Sequence, residues 1–302
     1  MPIERNLRGY GRVRPDIVWP NGARVAVSLV VNFEEGAELA VEQGDAETER
    51  YGEIQSAAPP GTRDLVQEQV FDYGMRVGLW RFLDAFSEYD VPSTFMMCGR
   101  AVERVPDLAR RVVEAGHEPA VHGWRWLPHA LYGDAETERH DIEKTRSVIA
   151  SATGIVPVGF MTRGSQSPWT RGLLAELGFA YDSNALDDDL PYWSDTPGGR
   201  MLVLPYGFDT NDMKFFHPNG FVQPADFASY VAVALATLIA EAERGRSAML
   251  SVGFHLRICG RPARFAAVRS ILAELARHGD RVWIARRADI AGHFRGTMPD
   301  RR

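Results

Sequence analysis

Apolar, β-branched stretches alternate with amphipathic stretches along nearly the whole chain, and this alternation limits the fold more than any other feature. Residues 25–32 read VAVSLVVN, the unbroken apolar run of a strand buried on both faces. From about residue 62 to 86, Val66, Val70, Val77, Trp80, Leu83 and Phe86 recur at helical spacing. Further strands are predicted at 93–97, 117–122, 157–161, 201–205, 248–254 and 282–285. Further helices are predicted at 105–114, 134–153, 169–177, 226–244, 262–278 and 287–294. Strands separated by helices of this length pair in parallel through right-handed crossovers. The pattern therefore predicts an α/β fold, either a single β/α barrel or an open doubly wound sheet. No internal repeat or linker interrupts it. The irregular stretches 34–60, 124–133 and 182–199 are long enough to form a site, and sites in such folds gather at the C-terminal ends of strands.

Composition narrows the partners. The 302 residues carry a net charge of −6, which disfavours a phosphate-backbone ligand and points away from nucleic acid. The longest apolar stretch, 230–240, is far short of the roughly twenty residues that a membrane span needs. The N-terminus shows no apolar signal region, and a cytoplasmic protein without a membrane partner is expected. Cys98 and Cys259, both in apolar surroundings, are too few for a disulfide framework and are spaced wrongly for a zinc knuckle.

Polar groups stand directly at the ends of four apolar strands. Glu34 and Glu35 follow VSLVVNF, His122 follows EPAV, Asp182 and Ser183 follow FAY, and His255 follows MLSVGF. Strand neighbours alternate, so two adjacent carboxylates cannot both face a barrel interior, although a loop start relaxes that limit. Two carboxylates near one site also split their pKa values. Ordinary structure weighs against each: a Glu pair commonly opens a solvated loop, and a lone histidine is more often packed than catalytic. That discount covers His117, His129, His140, His217, His278 and His293. A parallel fold, however, brings Glu34, Glu35, His122 and His255 together.

In chain order, VNFEEGAE, GHEPAVHGWRW, GFMTRGSQSP, YDSNALDDDLPYW and MLSVGFHLRICGRP resemble the motifs of the polysaccharide deacetylase (NodB-homology) superfamily, over about residues 24–295. NFEEG, HGWRW, DDDLPYW, LPYGFDTNDMKF and GFHLRICGRPAR resemble its metal-independent, purine-catabolic allantoinases. The resemblance implies a single distorted (β/α) barrel with long loops at the C-terminal face of the strands. It divides the chain into an N-terminal extension (1–23), a catalytic domain (24–295) and a tail (296–302).

The resemblance also implies roles. The family's first motif is a carboxylate pair, base then metal ligand, which places Glu34 as base and Glu35 as ligand. The second motif is two histidines four residues apart. His122 matches the first, but Trp126 stands at the second, and an indole N–H cannot ligate a metal. With ligand positions reduced to Glu35 and His122, no metal cofactor is expected; a divalent ion such as zinc is the alternative. Arg163 matches the arginine that orients the base, and His255 the general acid that protonates the leaving nitrogen. Trp124, Trp126, Tyr192 and Trp193 are expected to wall the pocket, with Asp182, Ser183, Asn211 and Asp212 binding substrate.

The implied reaction is hydrolysis of a non-peptide carbon–nitrogen bond in a small molecule such as a cyclic amide or ureide. Glu34 or Glu35 deprotonates water, and His122 or Arg163 steadies the oxyanion. The alternatives are a metal-dependent de-N-acetylase of an N-acetylated sugar and a catalytically inactive binding member. A homo-oligomer is implied as well, the segment 2–19 having little core of its own to join.

Overall fold

In the computed structural model, which describes residues 5–300, nine strands form one curled sheet. Residues 1–4 of the expected extension and 301–302 of the expected tail lie outside the described residues. The strands are β1 (Val25–Phe33), β2 (Thr94–Met97), β3 (Glu118–Val121), β4 (Gly159–Phe160), β5 (Tyr181–Asp182), β6 (Tyr192–Thr196), β7 (Gly199–Val203), β8 (Ala248–His255) and β9 (Val282–Ile284). Their order is β6-β7-β5-β4-β3-β2-β1-β8, and every pairing is parallel except that of β6 with β7. β9 shares an edge of β1 with β2, taking Val25–Val27 while β2 takes Val30–Phe33. The segment after β7 spans the remaining gap. Gly253 N–H donates to the Thr210 carbonyl at 2.9 Å, and the Thr210 hydroxyl donates to the Ser251 carbonyl at 2.6 Å. The fold is the single distorted (β/α) barrel expected from the sequence.

Nine helices are found among the described residues: α1 (Leu65–Tyr73), α2 (Leu79–Glu88), α3 (Gly99–Arg104), α4 (Pro106–Glu114), α5 (Ala135–Thr153), α6 (Thr170–Glu176), α7 (Pro224–Ala242), α8 (Pro262–His278) and α9 (Arg287–Thr297). Three differences from the sequence expectation have local causes. The helix expected over 62–86 is widened at Gly74–Gly78 into a π turn, where glycines let its backbone come close to the sheet's end. β5 has only two residues, too few for a visible period. β6 forms a hairpin edge inside the stretch read as irregular. α7 is long and apolar enough to cross a membrane by length and composition, yet Phe227, Val231, Leu235 and Ile239 on one face pack into the core.

Strand alternation separates two cores. Val25, Val27, Leu29, Val31 and Phe33 face outward and pack with Phe82, Val112, Phe227 and Val268 of the surrounding helices. Ala26 and Val30 face inward with Met96, Ala120, Met249 and Leu204. Small or polar residues complete the inward set, Ser28 and Asn32 on β1 and Ser251, Gly253 and His255 on β8. Pairing puts Asn32 beside His255, so the inward faces deliver polar groups to one end of the barrel.

Within the segment expected to lack a core, Ile17 and Trp19 do find one. Trp19 is buried with Ile17 against the barrel floor, and its indole N–H donates to the Ala248 carbonyl at 3.1 Å. Arg287 crosses the interior above it, fully buried. Its guanidinium donates to the hydroxyls of Ser183 (2.9 Å) and Ser251 (2.7 Å) and to the carbonyls of Leu204 (2.5 Å) and Pro205 (2.9 Å). It thereby ties β5, the end of β7 and β8 together. Replacing it strands several buried acceptors, so Arg287→Met is expected to cost on the order of 3 kcal/mol, read as a lower urea midpoint at unchanged slope.

Candidate active site

The site is built from residues that extend the inward faces of β1, β3 and β8. Glu34 continues the Asn32 side of β1, His122 continues the Ala120 side of β3, and His255 ends β8. Glu34 Oε2 lies 3.4 Å from His122 Nε2, and Glu34 Oε1 lies 3.8 Å from His255 Nε2. Glu35, one residue on, points the other way. Its Oε1 accepts from the Arg257 backbone N–H at 2.9 Å, and it lies against Gly74 of the π turn, where a Cβ would collide with the carboxylate. The carboxylate beside His122 is therefore that of Glu34, not Glu35, as alternation requires.

Backbone and carboxylate partners fix each ring. His122 Nδ1 donates to the Met161 carbonyl at 2.9 Å, which leaves Nε2 facing Glu34. His255 Nδ1 donates to Asp212 Oδ1 at 2.6 Å. Asp212 Oδ2 also accepts the backbone N–H groups of His255 (2.8 Å) and Cys259 (3.3 Å). Asp212 is thus the orienting partner of His255. Asn211 beside it caps the short turn Asp212–Phe216 through Met213 N–H and donates to the Tyr206 hydroxyl at 2.9 Å.

The guanidinium against Glu34 belongs to Arg257, which the sequence reading missed although it lies two residues beyond His255. Arg257 Nη1 bonds Glu34 Oε1 and lies 3.7 Å from Glu35 Oε1. Its Cζ sits 4.3 Å from the Phe71 ring centroid and 4.6 Å from that of Trp126. Arg163 lies on Trp126 at 3.6 Å, but its donors go to Glu49 (2.6 Å) and the Trp126 carbonyl (3.0 Å). Trp126 is thereby held between two guanidinium groups.

Electrostatics separates the two glutamates. Burial pushes both upward. For Glu34 this is outweighed by Arg257, then His255 and His122, which hold it well below the usual carboxylate range. For Glu35 the charge of Glu34 adds to burial, and Arg257 does not overcome the sum, so its pKa is raised. Burial likewise pushes His255 down, but Glu34 and Asp212 outweigh it and raise the imidazole above its ordinary value.

Other expected pocket residues lie elsewhere. Gly123, at φ +77°, reverses the chain after His122 and sends Trp124 outward, onto Gly99 and under Lys144 Nζ at 3.5 Å. Tyr192 and Trp193 ride the β6 edge: the Tyr192 hydroxyl donates to Asp187 at 2.9 Å and the Trp193 indole to the Met298 carbonyl at 2.9 Å. Asp182 pairs with Arg171 at 2.7 Å, and Ser183 accepts from Arg287. None of these side chains reaches the Glu34 cluster through a bond.

The donor set does not suit a metal ion. Among the described residues no group of three or more His, Cys, Asp and Glu side chains is arranged to hold one. Glu35 is occupied by backbone N–H groups, and Trp126 fills the remaining ligand position. The cluster is also closed over: Glu34 is 0% exposed, His122 3% and His255 5%. Loop residues 46–63 lie against α1, α8 and the turn Asp212–Phe216. The Tyr51 ring meets Phe216 at 6.3 Å, Gly52 rests on Gln67, and the Glu53 carboxylate accepts from Arg264 at 2.9 Å.

Residues 62–181 match the family profile described as polysaccharide deacetylase. A polysaccharide deacetylase-type protein of Schizosaccharomyces pombe is 34% identical over 93% of each chain. Two solved structures superpose with a TM-score of 0.90 at 40% identity. One is a polysaccharide deacetylase-type protein of Pseudomonas aeruginosa PAO1, over 98% of this chain and 99% of that one. The other is PuuE allantoinase, over 100% of each. Barrel and relatives together define a hydrolase of non-peptide carbon–nitrogen bonds. The chain belongs to the polysaccharide deacetylase (NodB-homology) superfamily.

Position separates the two glutamates by experiment. Glu34→Gln is expected to lower kcat per folded molecule on the order of 10²–10⁴-fold, and to lower the thermal midpoint as well by leaving the buried Arg257 charge unpaired. Glu35→Gln is expected to lower the midpoint while largely keeping kcat per folded molecule. Equal kcat losses per folded molecule would contradict this division.

Proposed function

We propose that the protein is an allantoinase-like hydrolase that opens a small cyclic amide or ureide without a metal cofactor. The observation that carries this reading is enclosure. A carboxylate between two histidines lies buried, with Glu34 0% exposed, which suits a small molecule better than a polymer chain. The full-length likeness to PuuE allantoinase at 40% identity supports it.

Glu34 Oε2, bonded by no donor among the described residues, takes the proton from the attacking water. The oxygen adds to the carbonyl carbon, and the carbonyl electron pair moves onto its oxygen. His255, protonated on both nitrogens and steered by Asp212, then gives its Nε2 proton to the departing nitrogen as the C–N bond breaks. His122, anchored to Met161, keeps Glu34 in place. The same reading takes the enzyme as a cytoplasmic homo-oligomer. The uncharged outer side of α7, with Ser229, Tyr230, Val233, Ala236, Thr237 and Ala240, supports self-association, which light scattering reads directly.

The deciding assay compares allantoin, hydantoins and N-acetylglucosamine oligomers, with and without chelator. Ring opening of a ureide, unchanged by chelator, is expected; cleavage of the N-acetyl sugars alone, abolished by chelator, would overturn the reading. Because Glu34 and Asp212 raise the His255 pKa, the acid stays charged above the ordinary imidazole value of 6.5 and loses its proton as pH rises. The alkaline limb of kcat/KM is therefore expected above that value. Asp212→Asn removes a raising charge and should move this limb to lower pH.

A further inference from the structure

Arg257 is the one group in the cluster whose role hydrolysis has not yet used. It is 2% exposed, on the turn that follows β8. One arm of its guanidinium, Nη1, is committed to Glu34 Oε1, and the flat faces lie near the Phe71 and Trp126 rings. The other arm, Nη2, is buried with no hydrogen-bond partner among the described residues. A buried, charged donor left unbonded costs free energy, and a fold retains one where something negative comes to meet it. Two aromatic rings and a carboxylate fix the plane, so the donor direction is set before substrate arrives.

The other cations and donors of the site are spent. Arg163 is bonded to Glu49 and to the Trp126 carbonyl. His122 gives its Nδ1 proton to Met161, and its Nε2 faces Glu34 Oε2 at 3.4 Å, so both ring nitrogens are already directed at other partners. His255 is reserved for the leaving nitrogen. Glu35, which the superfamily's motif offers to a metal, accepts the Arg257 backbone N–H.

We infer that Arg257 is a catalytic residue in which the chain supplies its own cation. Its Nη2 binds the substrate's carbonyl oxygen and stabilises the oxyanion, the task a metal performs in metal-dependent hydrolysis. The inference rests on the hydrolytic reading above and deepens it. In the addition step, Glu34 Oε2 accepts a proton from water, the water oxygen bonds to the carbonyl carbon, and the π pair settles on the oxygen facing Nη2. In the collapse that pair re-forms the C=O bond, the C–N pair leaves with nitrogen, and nitrogen takes the His255 proton. Glu34 and Arg257 share one fork, which holds the attacking water and the receiving donor in fixed relation. It also explains Trp126: an aromatic face packs a guanidinium where an imidazole would compete for the same space.

The test uses whichever amide of the panel the native protein cleaves. A native enzyme that ignores ureides and cleaves an N-acetyl sugar therefore sinks the substrate reading while this comparison still runs. Arg257→Ala is expected to lower kcat on the order of 10²–10³-fold, with a smaller change in KM. Methylguanidinium added to that variant should restore part of the rate, and methylammonium less. If Arg257→Ala does not fold, Arg257→Gln, which keeps an amide N–H for Glu34, carries the same comparison. A folded variant within threefold of the native kcat overturns the inference. So does a loss confined to KM, or one that methylguanidinium leaves untouched in protein of native thermal midpoint.

Discussion

The ion pair between Glu34 and Arg257 is the interaction around which the barrel's open end is arranged. Burying two charges costs more than their attraction returns unless the remaining donors and acceptors are met, so such a pair is poor material for stability alone. Its surroundings are shaped to accommodate it. Phe71 and Trp126 pack the guanidinium, and Glu35 holds its backbone. The π turn brings Gly74 against Glu35 and Gly78 against the Leu256 carbonyl, approaches that a side chain at either position would block. The widened helical turn, unremarkable in sequence, is thus part of the site's construction. His255 and Asp212 sit on the far side, so the negative Glu34 is faced by Arg257, His122 and His255 from three directions.

How much of this could be read beforehand depends on length and period. β1 was legible as a buried strand, and Glu34, His122 and His255 stood out because each ends an apolar run. What the apolar run concealed was its inner alternation. Ala26, Ser28, Val30, Asn32 and Glu34 form the small and polar side, and this same count assigns Glu34 inward and Glu35 outward. On β8 the same count gives Ser251, Gly253 and His255 but ends there, because Arg257 lies on the turn beyond the strand and alternation does not reach it. Asp212 matched a motif, but only the fold could turn it from an expected substrate contact into the partner of His255. Trp124, Tyr192 and Trp193 illustrate the reverse error. Aromatic residues near a motif were read as pocket walls, whereas one glycine turn and one edge hairpin carry them away. Arg163 was assigned by resemblance to the base, yet it spends its donors on Glu49 and the Trp126 carbonyl.

Two buried arginines divide the interior into levels. Arg287 near the floor has hydroxyl and carbonyl partners, and burial, the leading influence, lowers its pKa. Around it Glu118 accepts from the Thr94 hydroxyl at 2.7 Å and the Tyr181 hydroxyl at 2.8 Å, and burial raises its pKa. This lower level joins strand to strand by side chains where the sheet itself is interrupted. Arg257 at the upper level has carboxylate partners and one unused arm. The same residue type thus serves as a brace below and faces the reaction above, the difference lying in what each guanidinium is given to bond.

The burial of the reacting side chains has a consequence for timing. Glu34 is 0% exposed, His122 3% and His255 5%, so a ligand reaches them only when the groups packed over them give way. Each cycle then contains at least two such openings, however fast the bond cleavage beneath them. Where an opening is slower than the chemistry, packing rather than bond cleavage sets the enzyme's pace.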